Sequence, residues 1–306
     1  MPRRIKMVYT VTFNPALDYV MKLKKLSDRD INRTESEKLY YGGKGINVSA
    51  ILSRLEVPNI SLGFAAGFTG KKLIEMMNRV GIKNDFIELD EGFTRINVKL
   101  KFTEELDINA NGPKIPEEKT DELLLKLKQL NLGDCLVLAG SVPPSLPNDL
   151  YGKILEKLRG KGIKAVVDTT GNQLLNVLEY RPFLIKPNNY ELAEIFGEDM
   201  DSTEKIIAYA KKLREMGAVN VLVSRGGDGA VLVDEHGAVH NSKAVSGRLV
   251  SSVGCGDSMV AGFIAGLIKG GSYSDAFKLS VASSAATAFS KELAQAEKIK
   301  EIYKNL

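Results

Sequence analysis

The run Ser252-Val253-Gly254-Cys255-Gly256-Asp257-Ser258-Met259 sets a carboxylate inside a glycine-rich turn that leads directly into an apolar helix beginning near Ser258. Such a turn aims backbone N–H groups and the positive end of a helix at one point, where a phosphate or the charge of a transferring phosphoryl group can rest. Asp257 at that point could accept the proton of an attacking hydroxyl while the amides of Gly254, Cys255 and Gly256 hold the anion. An aspartate there can equally cap the helix and do nothing more.

A second glycine turn, Tyr41-Gly42-Gly43-Lys44-Gly45-Ile46-Asn47, opens the helix that carries Val48, Ile51, Leu52 and Leu55. Gly43 lets a ligand approach the backbone, and Lys44 and Asn47 add charge and hydrogen bonds. The spacing is not that of a Walker loop, nor does the chain contain a dinucleotide-type Gly-x-Gly-x-x-Gly. Two glycine turns at helix starts, neither of them Walker, point to nucleotide kinase chemistry of another lineage.

Further polar groups follow apolar runs. Asn188 and Glu191, in Lys186-Pro187-Asn188-Asn189-Tyr190-Glu191, stand one helical turn apart and could orient Mg²⁺ through its waters, or could form a helix cap with its first-turn acid. Ser224, Gly226 and Gly229, in Ser224-Arg225-Gly226-Gly227-Asp228-Gly229, suit nucleotide phosphates or a plain turn before Ala230 to Val233. Asp18, after Asn14-Pro15-Ala16-Leu17, could bind sugar hydroxyls or organise a turn.

The elements that must position these groups alternate. Met7 to Phe13, Ile60 to Phe64, Cys135 to Leu138, Ala165 to Asp168, Phe183 to Lys186 and Val219 to Ser224 read as strands. Helical periods near Ile46 to Leu55, Lys71 to Val80, Glu117 to Leu130, Leu150 to Arg159 and Thr203 to Met216 separate them. This rhythm predicts a mostly parallel sheet with helices on both faces, whose ligands bind beyond the carboxyl ends of the strands. Two further helices, Ser258 to Ile268 and Asp275 to Phe289, are rich in Ala, Ser and Gly and suited to close packing.

Two stretches, Leu17 to Tyr41 and Thr94 to Asn109, read instead as strands joined by turns, candidates for a small β lid spanning about 17–41 and 94–112. Ile96, Val98, Leu100 and Phe102 alternate with Arg95, Asn97, Lys99 and Lys101, giving one apolar and one cationic face. The cationic face suits a phosphorylated ligand or plain solvation, and a second subunit's lid is one candidate to cover the apolar face. No linker divides the chain, so residues 1–306 read as one domain carrying this lid.

Composition narrows the chemistry. Of 306 residues, 44% are hydrophobic and 26% charged, an ordinary globular balance. His236 and His240 are the only histidines, and Cys135 and Cys255 the only cysteines, so Ser-His-Asp catalysis, histidine-bound zinc and a disulfide framework are poor fits. A net charge of +4 without concentrated Lys/Arg runs argues against a nucleic-acid surface. The apolar stretches stop short of the ~20 residues of a membrane span. The short basic start, Met1 to Lys6, has no apolar signal core behind it, and the expectation is a soluble, cytoplasmic protein.

In this order, Asn14-Pro15-Ala16-Leu17-Asp18, Gly42 to Val48, Thr94-Arg95-Ile96-Asn97-Val98-Lys99 and Gly254 to Met259 resemble the PfkB branch of the ribokinase-like carbohydrate kinases, across essentially the whole chain. The wording is most similar to the group that phosphorylates fructose 1-phosphate or tagatose 6-phosphate. The resemblance implies a three-layer α/β/α core with a β lid often shared across a homodimer, and Mg-ATP bound opposite a sugar phosphate. Most specifically, it implies conversion of fructose 1-phosphate to the 1,6-bisphosphate, with tagatose 6-phosphate or fructose 6-phosphate as alternative acceptors and a non-catalytic sugar-phosphate sensor as the alternative outside catalysis. By position, Asp257 would be the base and Gly254, Cys255 and Gly256 the anion hole. Asp18, Gly43, Lys44, Asn47, Asn97 and Ser141 would meet the sugar, with Arg33 and Arg95 near its phosphate and Asn109 in the lid turn. Lys186, Asn188, Glu191, Ser224, Gly226 and Gly229 would serve ATP and Mg²⁺. The family more often has Ala at position 255 and an apolar residue at position 225.

Overall fold

The structure, a computed structural model, describes residues 5–306, so most of the basic start, residues 1–4, lies outside the described part. Seven strands form a parallel run: β1 (Val8–Thr12), β4 (Asn59–Ala66), β5 (Asn84–Leu89), β8 (Cys135–Ala139), β9 (Lys164–Asp168), β10 (Leu184–Ile185) and β11 (Asn220–Ser224). β12 (Ala230–Val233) and β13 (Val239–Ser242) extend it antiparallel, in the order β13-β12-β11-β10-β9-β8-β1-β4-β5. Most of these strands are buried on both faces, which is why they read as continuous apolar runs.

Alternate side chains sort to two helical layers. Leu136 and Leu138 of β8 point to the layer of α3 (Glu117–Lys128), α4 (Leu150–Lys157), α5 (Gly171–Val177), α6 (Asn189–Phe196) and α7 (Thr203–Glu215). Cys135 and Val137 point to that of α1 (Lys44–Arg54), α8 (Cys255–Ile268), α9 (Tyr273–Ala288) and α10 (Ala296–Asn305). α2 (Gly67–Arg79) joins α1 through Leu73 and Met77 against Ile46 and Ala50. This is the expected three-layer α/β/α core. No helix among the described residues is long and apolar enough to cross a membrane.

The expected second sheet is present as β2 (Ala16–Lys22), β3 (Ser36–Gly42), β6 (Arg95–Lys101) and β7 (Glu105–Ile108), ordered β3-β2-β6-β7. Its central pair, β2 and β6, is parallel, with Asp18 opposite Asn97. The period-two reading of β6 holds: Arg95 and Lys99 line a cavity, while Ile96 packs on the α1–α2 cluster. The sequence reading left out β5, β13, α5 and α10, elements that are short or mostly polar, gave β12 and α6 no range as elements, and drew β10 longer than its two residues.

The small residues of α8 and α9 serve close contact. A Cβ at Gly262 would stand 2.6 Å from the Leu279 carbonyl oxygen and one at Gly266 2.5 Å from Ala276 Cα. Gly262→Val should therefore overpack the pair by about 1–3 kcal/mol. The expected drop of several degrees in Tm is read by calorimetry, against Ala265→Gly as a small-residue control.

Candidate active site

β1 lies in the middle of the sheet with β4 on one side and β8 on the other, so the connections diverge around it and leave a crevice at the strand ends. A cavity of about 640 Å³ fills that crevice. Thr12 and Asn14 from the end of β1, Ala139, Gly140 and Ser141 from β8, and Thr169, Thr170 and Gln173 from the β9–α5 connection form its floor. Gly43, Lys44 and Asn47 of α1 and Val253, Gly254 and Asp257 of α8 supply one wall, and Arg95, Lys99 and Asn109 of the small sheet another.

Gly254 is the N-cap of α8 at φ 76°, a left-handed conformation that favours glycine, and a Cβ there would meet Leu293 Cδ2 at 2.5 Å. The first amides of a helix have no partner within it, and this end opens on the cavity through Gly254 and Asp257. The Cys255 amide leans back to the Ser252 carbonyl at 3.4 Å. Burial and the neighbouring Asp257 push the Cys255 thiol up to about 11, so it stays protonated and inert at neutral pH.

Asp257 is 5% exposed. Burial, reinforced by the negative charge of Asp168, pushes its carboxyl up to about 6, against the pull of Asn47, Lys44 and Lys186. Asn47 Nδ2 donates to Asp257 Oδ2 at 2.7 Å, which leaves Oδ1 for a substrate proton. A carboxylate tuned towards neutrality on a cavity wall is suited to general-base work. α1 is itself set close to β1: Ile46 N donates to Thr12 Oγ1 at 3.1 Å, and a Cβ at Gly45 would sit 2.5 Å from that oxygen.

Lys44 Nζ pairs with Asp168 Oδ1 at 3.3 Å. Burial pulls Lys44 down, but Asp168, Asp257 and Glu191 together outweigh it and hold the ammonium above its ordinary value. Across the cavity, Arg95 Nη1 donates to the Ala110 carbonyl at 3.1 Å while its Nε is buried without a protein partner. Lys99 Nζ reaches Asp107 Oδ2 at 2.7 Å. Asp18 and Asn97 pair with each other at 2.8 Å, and Asn97 also accepts from Ala110 N at 3.3 Å, so they brace the small sheet where Arg95 leaves it. Asn14 Nδ2 donates to the Asn111 carbonyl at 2.9 Å and ties β1 to that sheet.

Other expected residues sit apart. Arg33 is exposed on the connection between β2 and β3, a polar segment shaped by turn bonds such as Ser27 N to Asn32 Oδ1, and it does not line the cavity. Asn188 and Glu191 form a reciprocal capping box on α6, both bonds at 2.8 Å, so each has one polar group committed to the helix start. A parallel bridge sets Asn188 beside Ser224, next to the turn of Gly226 and Gly229. Arg225 holds that turn by donating to Thr203 Oγ1 at 2.6 Å and to Asn241 Oδ1 at 3.3 Å. Lys186 is 5% exposed, and its Nζ lies so near Gly256 that a Cβ there would meet it at 3.0 Å. Both histidines belong to the β12–β13 hairpin and its turn, where His240 Nε2 meets Asp234 Oδ2 at 2.9 Å.

Sequence reasoning passed over Asp168, Thr12, Thr169, Thr170, Gln173 and Val253. Thr169, Thr170 and Gln173 share one signal, a polar run directly after the apolar strand that ends at Asp168.

A parallel sheet with a crevice at its switch point, a helix start opening on that crevice, a buried carboxylate and a cationic wall opposite suit an α/β phosphotransferase for a small acceptor. The chain belongs to the pfkB family of carbohydrate kinases, whose model matches residues 11–299. It is 44% identical over 296 residues to the 1-phosphofructokinase of Bacillus subtilis, covering 97% of both chains. It is 37% identical over 294 residues to the D-tagatose-1-phosphate kinase of Bacillus licheniformis, covering 96% of each. Phosphofructokinase-2 from Escherichia coli in complex with fructose-6-phosphate superposes with a TM-score of 0.91 at 25% identity, over 99% of both chains.

Because a base works only when ionised, kcat/KM should fall as pH drops through about 6, the acid limb belonging to Asp257. Asn47→Leu removes the bond that favours the ionised form and should move that limb to higher pH. The substrate's own titration cancels in the comparison with wild type, so an unmoved limb would assign it to another group.

Proposed function

We propose that the protein transfers the γ-phosphoryl group of ATP to a hydroxyl of a ketose phosphate, most specifically converting fructose 1-phosphate to fructose 1,6-bisphosphate. The observation that carries this reading is the pairing of one buried, up-shifted carboxylate, Asp257, with the unpartnered Arg95 Nε and the Lys99 ammonium across the cavity. The base suits a hydroxyl, and the cations suit a phosphate already on the acceptor.

Asp257 Oδ1 takes the hydroxyl proton while Asn47 holds Oδ2, so the oxygen becomes nucleophilic in place. The α8 turn and Lys44 counter the charge spread over the transferring group. Asp18, Gly43 and Ser141 bound or brace the sugar side, with Asn97 and Asn109 holding Arg95 and the small sheet in register. Ser224, Gly226 and Gly229 take the nucleotide side.

Mg²⁺ fits the donors present: Glu191 keeps one carboxylate oxygen beyond its cap. Among the described residues no cluster of three or more His, Cys, Asp or Glu forms a cage, which suits an ion held chiefly by phosphates and its waters, with Asn188 and Glu191 behind them. When bound, it would neutralise charge on the phosphates.

The small sheet is, on this reading, a lid within a single kinase domain. The face of that sheet turned from the cavity carries Leu39, Leu106 and Ile108, all exposed, beside Val98 and Leu100. Apolar side chains at that density suit a second copy's lid, giving a homodimer. Use of ATP and a sugar phosphate fits a cytoplasmic site, and nothing in the charge pattern calls for a nucleic-acid partner.

ADP release with Mg-ATP across fructose 1-phosphate, fructose 6-phosphate, tagatose 1-phosphate, tagatose 6-phosphate, fructose and ribose tests the assignment. Turnover is expected with fructose 1-phosphate and should fall by about 10²–10⁴ in Asp257→Asn, the usual worth of a general base. Preference for a tagatose phosphate would support the reading that the 37% identical relative favours. Turnover with neutral sugars alone would overturn the sugar-phosphate assignment, and ligand binding without turnover would make the chain a sensor. Arg95→Ala should raise KM for the acceptor more than it lowers kcat, since a phosphate remote from the reacting centre is bound alike before and during transfer.

A further inference from the structure

Asp168 closes β9 in the interior of the sheet and is 1% exposed. Its Oδ1 is shared by two ammoniums, Lys44 Nζ at 3.3 Å and Lys186 Nζ at 3.5 Å, while Oδ2 has no protein partner. One oxygen under two long contacts is a poor way to satisfy a buried carboxylate if stability were its whole purpose. The two lysines come from distant parts of the chain yet converge on one place: Lys44 lines the cavity, and Lys186 lies against the backbone of Gly256.

We propose that Asp168 is a positioning residue for phosphoryl transfer, anchoring the Lys44 and Lys186 ammoniums at the Gly254–Asp257 turn so that their charge meets the transferring group. Lysine carries a compact charge on a flexible stem, and its usefulness at a reacting centre depends on being fixed there beforehand. A strand end in the middle of a parallel sheet is the most rigid place from which to fix it. This inference rests on the kinase reading and adds to it a residue that touches neither acceptor nor donor.

The charged and polar groups facing Asp257 are Asp168 from β9, Lys44 and Asn47 from α1, Lys186 after β10 and Cys255 on its own helix, with Glu191 of α6 acting on Lys44. Asp168→Asn removes the like charge that favours protonation of Asp257. The acid limb of kcat/KM should therefore move to lower pH, in the opposite direction to Asn47→Leu.

The test uses Asp168→Asn, Lys186→Met and the double variant, assayed with Mg-ATP and fructose 1-phosphate. Asp168→Asn should lower kcat about 10- to 100-fold, a loss larger than any rise in KM, and should shift the acid limb downward. In the Lys186→Met background the same change should cost far less, because residues acting as a unit are not additive. If Asp168→Asn alone fails to fold by circular dichroism, the double variant, which loses one buried charge of each sign, is compared with Lys186→Met. Full additivity, an unmoved acid limb, or a loss relieved by raising Mg²⁺ would overturn the proposal, the last by making Asp168 a metal ligand. Should the wild type show no turnover, NMR relaxation of the Lys44 and Lys186 ammonium groups separates the two ideas. Greater ammonium mobility in Asp168→Asn keeps the anchor while the kinase reading falls, and unchanged mobility sinks the anchor too.

Discussion

Everything around the cavity depends on keeping one carboxylate, Asp257, inside the protein. Taking such a group out of water is costly, and its neighbours offset the cost without abolishing the upward shift that makes it useful. The helix end of α8 favours its charge, Asn47 ties down one oxygen, and Lys44 and Lys186 supply cations at a distance. Each partner must arrive from a different element, so α1, α8 and the ends of β9 and β10 are fixed relative to one another by the needs of a single side chain.

The remaining architecture follows from where that cluster can stand. A parallel sheet with helices on both faces leaves an opening only at its strand ends, and the diverging connections around β1 put the widest opening there. The core builds the floor and one wall of the cavity. The small sheet supplies the facing wall, with Arg95 and Lys99 on the cavity and Leu39, Leu106 and Ile108 exposed on its other side.

The strongest signals in the sequence were those in which local backbone and side-chain chemistry coincide. Gly254 to Asp257 and Gly43 to Asn47 each combine a glycine turn, a helix start and a polar side chain within a few residues, and both reach the cavity. The alternation of β6 was equally legible, because period two leaves no freedom about which face carries Arg95 and Lys99. Asp168 was hidden: an aspartate at a strand end reads as a turn residue, and its partners lie 124 positions earlier and 18 later. Arg33 shows the opposite case, a charge near the small sheet whose loop carries it into solvent, away from the cavity. For Asn188 and Glu191 the cap and the ligand reading prove compatible in part, since capping leaves each side chain one polar group to spare.

The parallel pairing of β2 with β6 sets an order on how this molecule can assemble. Ala16 lies opposite Arg95, so the stretch between them, with α1, β4, α2 and β5, must be folded back before these two strands can meet. Closing so long a span is entropically expensive until the intervening units are in place, and the central β1–β8 pair, with Val8 opposite Cys135, closes a longer one. The strands that carry Arg95 and Lys99 and the strands beneath the crevice therefore share one condition, that parts of the chain distant in sequence have already met.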